Sequence, residues 1–302
     1  MNLFVIIVSY NGMQWLQRCL DSVFNSSVSA NVIVVDNKST DSSVDFIEKN
    51  YLAATLIKLD KNHGFGKANN IGMEYALNHN ADYIYLLNQD AWVKPDTFKI
   101  LIDVQQQYPE YGIISPIQIT ANEDKLDNNF LYTCANKCRF FVNDLCFNKV
   151  KEIYELNEVM AAHWLITRDC LLSIGGFSPV FFHYGEDMNL QHRASYHGFK
   201  NGICPLTCAI HDREFRKETK QKIMYMKYVS LLIINSDITR SKKIKLKDNI
   251  VVCVKLLCNV LQYKSLKPIL YLFKILYHLP KIYKYNKMTK LKTPSFLNTI
   301  KI

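Results

Sequence analysis

The chain has 302 residues, 49% hydrophobic and 21% charged, which fits one large α/β domain with an appendage and excludes a disordered chain. Its net charge of +10 is uneven: residues 1–212 hold 16 Lys and Arg against 23 Asp and Glu, and residues 213–302 hold 21 against 4. An acidic body with a basic tail implies an anionic partner for the tail, and nine scattered cysteines argue for a reducing compartment rather than a disulfide framework.

Leu3 to Val8 is a β-branched apolar run, read as a buried strand. It is too short for a signal peptide and has no basic flank. Ser9-Tyr10-Asn11-Gly12 makes a turn, and Trp15, Leu16, Cys19, Leu20 and Val23 recur at helical spacing. Asn31 to Val35 is a second strand, ending in Asp36-Asn37. A capped helix follows from about Ser42, then a third strand near Thr55–Leu59, the glycine-bearing loop Asn62-His63-Gly64-Phe65-Gly66, and a helix from about Lys67 to Asn78. Tyr83 to Ala91 reads as one further strand, carrying Asn88 and Asp90 at its carboxyl end. Strand–helix alternation predicts a mostly parallel sheet, whose strand ends are where ligands bind. Two of those strands end in an aspartate, Asp36 and Asp90. A glycine-bearing strand-to-helix loop lets backbone N–H groups approach phosphate. Neither GxGxxG nor GxxxxGK[ST] is present.

Beyond Asp90, a helix is expected over Pro95–Gln107 and a short strand over Ile113–Pro116. Residues 120–158 are polar, aromatic and aperiodic, which reads as an insertion or an acceptor-side region. Val159–Thr167 is a strand on which His163 and Trp164 face either an acceptor or the core. A helix then ends at Gly175-Gly176-Phe177. Aromatic residues precede Glu186-Asp187, which opens a helix to about His197; acids there serve either chemistry or the helix dipole. His211-Asp212 closes a last apolar run. The CxxxC pairs Cys134/Cys138 and Cys204/Cys208 fall short of the CxxC spacing that marks structural zinc.

Taken together, these stretches resemble the family 2 glycosyltransferases, in particular the bacterial rhamnosyltransferase-like members that build surface polysaccharides. The carrying residues are Val8–Gly12, Val35–Asp41, Asn62–Gly66 with Asn69–Gly72, Leu87–Asp90, Gly175–Phe177 and Glu186–Leu190 with Arg193 and Gly198. The resemblance implies a GT-A fold, a Rossmann-like mostly parallel sheet flanked by helices. It also implies a nucleoside-diphosphate-sugar donor. By the same likeness, Ser9, Tyr10, Asn11, Asp36, Asn37, Gly64, Lys67, Asn88 and Asp90 line the donor site. Asp90 and His211 would bind Mg2+ or Mn2+, Asp187 is the general base, and Glu186, His163 and Trp164 lie on the acceptor side. Two departures stand out: Asn88 replaces the first Asp of the DXD motif, and Asn189 replaces the last Asp of Glu-Asp-x-Asp.

The likeness covers roughly residues 1–215, so the expected division is a GT-A domain over 1–222 and a basic helical extension over 223–302. In the extension, Ile250, Val251, Val254, Leu257, Val260 and Leu261 fall near one helical face. Leu266, Ile269, Leu270, Phe273, Leu276 and Leu279 form a second set, ending at Pro280, with lysines and tyrosines interleaved. Basic amphipathic helices with aromatic rims suit an anionic membrane surface; a bundle packed on the catalytic domain is the plainer reading. No nucleic-acid module motif is present, and no apolar run is long enough to span a membrane. The reading is therefore an inverting, metal-dependent glycosyltransferase, peripheral on the inner face of the plasma membrane, acting on a lipid-linked saccharide. The alternatives are a catalytically silent binding protein of a polysaccharide assembly complex and a sugar-nucleotide pyrophosphorylase. The second needs a basic first loop that Ser9–Gly12 lacks.

Overall fold

Apolar runs without alternation become strands buried on both faces. In the computed structural model, which describes residues 1–213 and 219–298, β1 (Leu3–Ser9), β2 (Asn31–Asp36), β3 (Thr55–Lys58) and β4 (Tyr83–Asn88) pair in parallel, in the order β3-β2-β1-β4. Successive side chains enter opposite cores. Leu3, Val5 and Ile7 of β1 meet α1 (Met13–Phe24), α2 (Ser43–Asn50) and α4 (Thr97–Gln107). Phe4 and Ile6 meet α3 (Phe65–Asn78), α7 (Arg168–Ile174) and α8 (Glu186–Tyr196).

The second half of the sheet reverses direction. β8 (His163–Thr167) runs antiparallel to both β4 and β6 (Tyr111–Ile119), and β6 runs parallel to β9 (Lys200–His211). Contrary to the single strand expected over Tyr83–Ala91, the chain turns at Gln89-Asp90. It sets off again as β5 (Ala91–Val93), which pairs antiparallel with the end of β9. The aperiodic region holds two helices, α5 (Asn128–Lys137) and α6 (Arg139–Cys146), and a short β7 (Tyr154–Glu155) that pairs with β9. Each helix buries few apolar residues, Phe130 and Cys134 on one and Phe141 on the other, so neither wrote a full stripe. All nine cysteines are free thiols.

The basic extension forms α9 (Lys220–Ser236), α10 (Lys242–Tyr263) and α11 (Lys267–Thr289). Helix α11 continues through Pro280, where the sequence pattern places its end. Tyr228, Leu231, Leu232, Leu256, Ile275 and Ile282 pack with Val180 and Phe181 of the sheet domain. The chain then returns: Gly176 N–H donates to Ser295 O at 2.8 Å, and Leu297 enters the second core. The expected segments 1–222 and 223–302 include residues 214–218 and 299–302, which lie outside the described residues. None of the described helices is long and apolar enough to cross a membrane.

His163 and Trp164, expected on the acceptor side, are fully buried, and this corrects that expectation. Trp164 stacks on Phe177 in the second core. His163 bridges two strands: Nε2 is 2.9 Å from Ile210 O and Nδ1 is 3.0 Å from Tyr85 Oη. A carbonyl only accepts, so Nε2 carries the proton and Nδ1 accepts from the tyrosine. Burial pushes the His163 pKa down to about 3. The folded state therefore keeps His163 neutral while an unfolded chain takes up a proton near pH 6.5, and stability is lost as pH falls through that range. We expect His163→Gln to cost about 1–3 kcal/mol at neutral pH and to flatten this acid limb. Urea melts from pH 7 to 4 check it, and an unchanged limb would contradict the assignment.

Candidate active site

The loops at the carboxyl ends of β1, β2, β4 and β9 meet on one side of the sheet. Polar side chains stitch them. Asn11, in left-handed conformation at φ 49°, accepts from Thr40 N–H at 2.8 Å, and its own N–H donates to Ser39 Oγ at 2.9 Å. Asn37 accepts from His63 N–H at 2.8 Å and donates to Asn62 Oδ1 at 3.1 Å, joining the loop after β2 to the loop after β3. Asp36 is buried and accepts from Ser39 N–H at 3.1 Å. Gly64, at φ 81°, caps α3 where a Cβ would stand 2.3 Å from Phe182 O. Only glycine allows the loop carrying Phe182 to cross there. Lys67 is exposed on the first turn of α3, and Tyr10 is exposed at the first loop.

Gln89, which the sequence reading passed over, clamps that first loop. Its Oε1 accepts from Tyr10 N–H at 2.8 Å and its Nε2 donates to Tyr10 O at 3.2 Å. Asn88 Oδ1 is buried with no hydrogen-bond partner, and Ser9 Oγ is likewise unpartnered. Asp90 retains 27% of its side-chain exposure, and its Oδ1 lies 3.6 Å from His211 Nε2. Asp212 N–H donates to Asp90 O at 2.8 Å, and Trp15 Nε1–H holds the Asp212 carboxylate at 3.2 Å. Burial raises the Asp90 pKa, but His211 and the charge of Arg213 outweigh it and hold the carboxyl below its ordinary value. An anionic Asp90, the imidazole of His211 and the unpartnered Asn88 oxygen are donors that fit a hard or borderline divalent ion. Among the described residues no three His, Cys, Asp or Glu side chains converge on a metal site. An ion at Asp90 and His211 would therefore need further ligands from outside this pair.

The second acidic stretch opens α8. Gly185 caps it at φ 87°, and a Cβ there would meet Ile233 and Val229 of α9 at 2.9–3.0 Å, so the basic extension braces this turn. Asp187 is partly exposed; Glu186 is buried, with Oε2 unpartnered. This burial corrects the acceptor-side expectation for Glu186: it lies behind Asp187. Burial raises both carboxyls, and the neighbouring charge of Asp187 raises Glu186 further, while Met188 N–H and Arg213 pull Asp187 back. Asn189, the second departure, has a structural reason. Its Oδ1 accepts from the buried Arg193 Nε at 3.2 Å, and its Nδ2 donates to Ser236 O at 3.3 Å, which an aspartate cannot do. Arg193 also donates to Ile174 O and Gly176 O, so this matched residue ties the Gly175-Gly176-Phe177 turn to α8.

Two further residues escaped the sequence reading. Arg213 lies just past the end of β9 and acts on both Asp90 and Asp187. Asp127, buried, caps α5 and faces His211. Its only sequence signal is an Asp ahead of a short helix.

Comparison with known proteins bears on the family and the fold. The model described as Glycosyl transferase family 2 matches residues 4–153, and that described as Glycosyl transferase family group 2 matches residues 83–287. The low-salt glycan biosynthesis hexosyltransferase Agl10 of Haloferax volcanii is 25% identical over 232 residues, 76% of this chain and 72% of its own length. Among solved structures, the mannosyltransferase PcManGT from Pyrobaculum calidifontis, in complex with GDP-Man and Mn2+, superposes with a TM-score of 0.59 at 16% identity, over 95% of this chain and 84% of that one. S. aureus TarS 1-349 in complex with UDP gives 0.57 at 13% identity, over 81% and 68%. These structural likenesses show a shared fold, the GT-A arrangement.

The acid pair gives a test. Two adjacent interacting carboxyls, one buried and one partly exposed, titrate in two steps that belong to the pair, the upper one above the ordinary range. Glu186→Gln should leave a single, lower step for Asp187. Because the folded values are raised, the pair weakens the native state as pH rises through them, and the variant should gain stability at pH 8 and above. Carboxyl 13C NMR titration reads the first effect and thermal melts the second; two ordinary carboxylate titrations in the parent chain would contradict this.

Proposed function

The chain belongs to the family 2 glycosyltransferases, and from that membership we propose an inverting enzyme that acts on a lipid-linked saccharide. It would carry a hexosyl or deoxyhexosyl group, rhamnose among the candidates, from a dTDP-, UDP- or GDP-sugar to a hydroxyl of that acceptor. One observation carries the reading: a partly exposed Asp187, backed by a buried acid, shares the charge of Arg213 with the Asp90–His211 pair.

In this account Asp36 and the Ser9–Asn11 loop hold the nucleoside, with Asn37 fixing the loops beneath it. The Gly64 loop and Lys67 border the diphosphate. Asp90 and His211 would hold Mg2+ or Mn2+, which when bound neutralises charge on the departing diphosphate. The acceptor oxygen attacks the anomeric carbon as the bond to the diphosphate oxygen breaks, and its proton passes to Asp187. A single displacement inverts the carbon, and no covalent glycosyl-enzyme forms. The raised ionisation of the Glu186–Asp187 pair places the base nearer neutral pH, where proton transfer is most effective. Donor complexes of the structural neighbours, UDP and GDP-Man with Mn2+, support a nucleotide-sugar and metal reading.

A panel of dTDP-, UDP- and GDP-sugars, with Mn2+, Mg2+ or chelator, tests this by binding and slow donor hydrolysis. We expect one donor to bind with metal. Asp187→Asn should keep that binding and lose about 10²- to 10⁴-fold in transfer. Wild-type turnover that survives Asp187→Asn would remove it as the base, and turnover of any donor also separates the chain from a catalytically silent binder.

The membrane reading rests on α10 and α11. Ile250, Val254, Leu257 and Leu261 form one exposed stripe, and Leu270, Phe273 and Tyr277 form another, with Leu261 at 82% and Tyr277 at 79% exposure. Lys255, Lys264, Lys267 and Lys274 accompany them. Each lysine near an anionic surface contributes about 1 kcal/mol, and buried apolar side chains add to it. Folded helices that leave such stripes open are not a self-contained bundle. Co-sedimentation with phosphatidylglycerol vesicles should be salt-sensitive and lost in Leu270→Glu/Phe273→Glu. Equal binding by that variant, or a stable dimer in place of vesicle binding, would contradict the assignment and the cytoplasmic-face placement built on it.

A further inference from the structure

His211 is buried between two carboxylates. Its Nε2 lies 3.6 Å from Asp90 Oδ1, and its Nδ1 lies 3.8 Å from Asp127 Oδ2. Nδ1 is fully enclosed and has no closer partner. Asp127 is 3% exposed and cannot swing away. Its Oδ1 accepts from Asn129 N–H at 2.9 Å and Phe130 N–H at 3.0 Å, capping α5. Its Oδ2 is left facing His211 and Arg213, whose Nε is 3.4 Å away.

We propose that Asp127 is a positioning residue that accepts Nδ1–H of His211, so that the Nε2 lone pair faces Asp90 and the ion held there. This rests on the reading that Asp90 and His211 bind the ion. A neutral imidazole has one N–H, and both facing carboxylates only accept. Asp127 is fixed by two backbone amides, whereas Asp90 is partly exposed and free to turn toward an ion. Without an ion Nε2 faces Asp90 as the nearer carboxylate; once an ion takes the Nε2 lone pair, the single proton belongs on the Asp127 side. A carboxylate behind a ligating histidine also raises that histidine's basicity and fixes its ring. Helix α5 thereby connects the 120–158 region to the donor side of the site, a link that no motif in the chain encodes.

Asp127→Asn separates this role from helix capping. Asparagine caps as well as aspartate, so α5 keeps its start, but the amide now presents a donor to Nδ1. That moves the imidazole proton to Nε2 and blocks the lone pair. Mn2+ binding, followed by electron paramagnetic resonance on the full chain, should weaken about 10- to 100-fold in Asp127→Asn. Circular dichroism and chelator-treated nucleoside-diphosphate binding should stay as in wild type. Long-range 1H–15N spectra of histidine-labelled wild type with saturating Mg2+ above pH 8, with His211 assigned through His211→Gln, should show the Nδ1–H tautomer. An Nε2–H tautomer in wild type, or Mn2+ affinity in Asp127→Asn within twofold of wild type, overturns the proposal. Should the variant fail to fold, the wild-type tautomer decides alone. Wild type that binds no Mn2+ yet shows Nδ1–H sinks the ion reading and leaves the Asp127–His211 assignment supported.

Discussion

Three backbone pairs between β5 and β9 hold the site in register: Ala91 with His211, Trp92 with Ile210, and Val93 with Ala209. The parallel half of the sheet brings Asp90 to a strand end but offers no partner for it. The antiparallel return of β9 supplies His211 beside it, and the Asp212 amide closes on the Asp90 carbonyl. His163, hydrogen-bonded to Ile210 O and Tyr85, sits directly beneath this junction. It is a neutral strut, and its neutrality follows from burial.

Burial raises the pKa of Asp90, Glu186 and Asp187 alike, and the fold opposes it unequally. At Asp90 the histidine and Arg213 win, and the group stays anionic, as its proposed role as a metal ligand requires. At Glu186 the charge of Asp187 adds to burial, at Asp187 burial outweighs the backbone amides and Arg213, and both values rise. One class of side chain is thus set in two ways by environment. Arg213 lies within electrostatic reach of both acid groups, so loss of its charge would disturb Asp90 and Asp187 together. The brace of α9 against Gly185 couples the basic extension to the same turn, which makes that extension part of how Asp187 is aimed.

The parallel strands and their helices were legible because β1, β2 and β4 are buried on both faces and their apolar runs carry no polar interruption. The acids Asp36, Asp90 and Asp187 were legible because each stands at the end of a strand or the start of a helix. What failed did so for physical reasons. Tyr83 to Ala91 looks continuous because Gln89 and Asp90 turn within an otherwise strand-forming run. His163 and Trp164 look amphipathic in sequence, yet their polar atoms sit in the core. Helices α5 and α6 bury too few residues to show a period, which hid Asp127. Pro280 marks an end in sequence, but packing of Ile275 and Ile282 on either side carries α11 through it.

The central claim is that Asp90 and His211, brought together by the β5–β9 pairing, hold one divalent ion against a nucleoside diphosphate. Anomalous diffraction at the manganese edge, from crystals with Mn2+ and the bound diphosphate, tests it most directly. The account predicts one peak within ligand distance of Asp90 and His211, with a diphosphate oxygen on its open side. A well-occupied diphosphate with no peak there, or a peak held by other side chains, would contradict it.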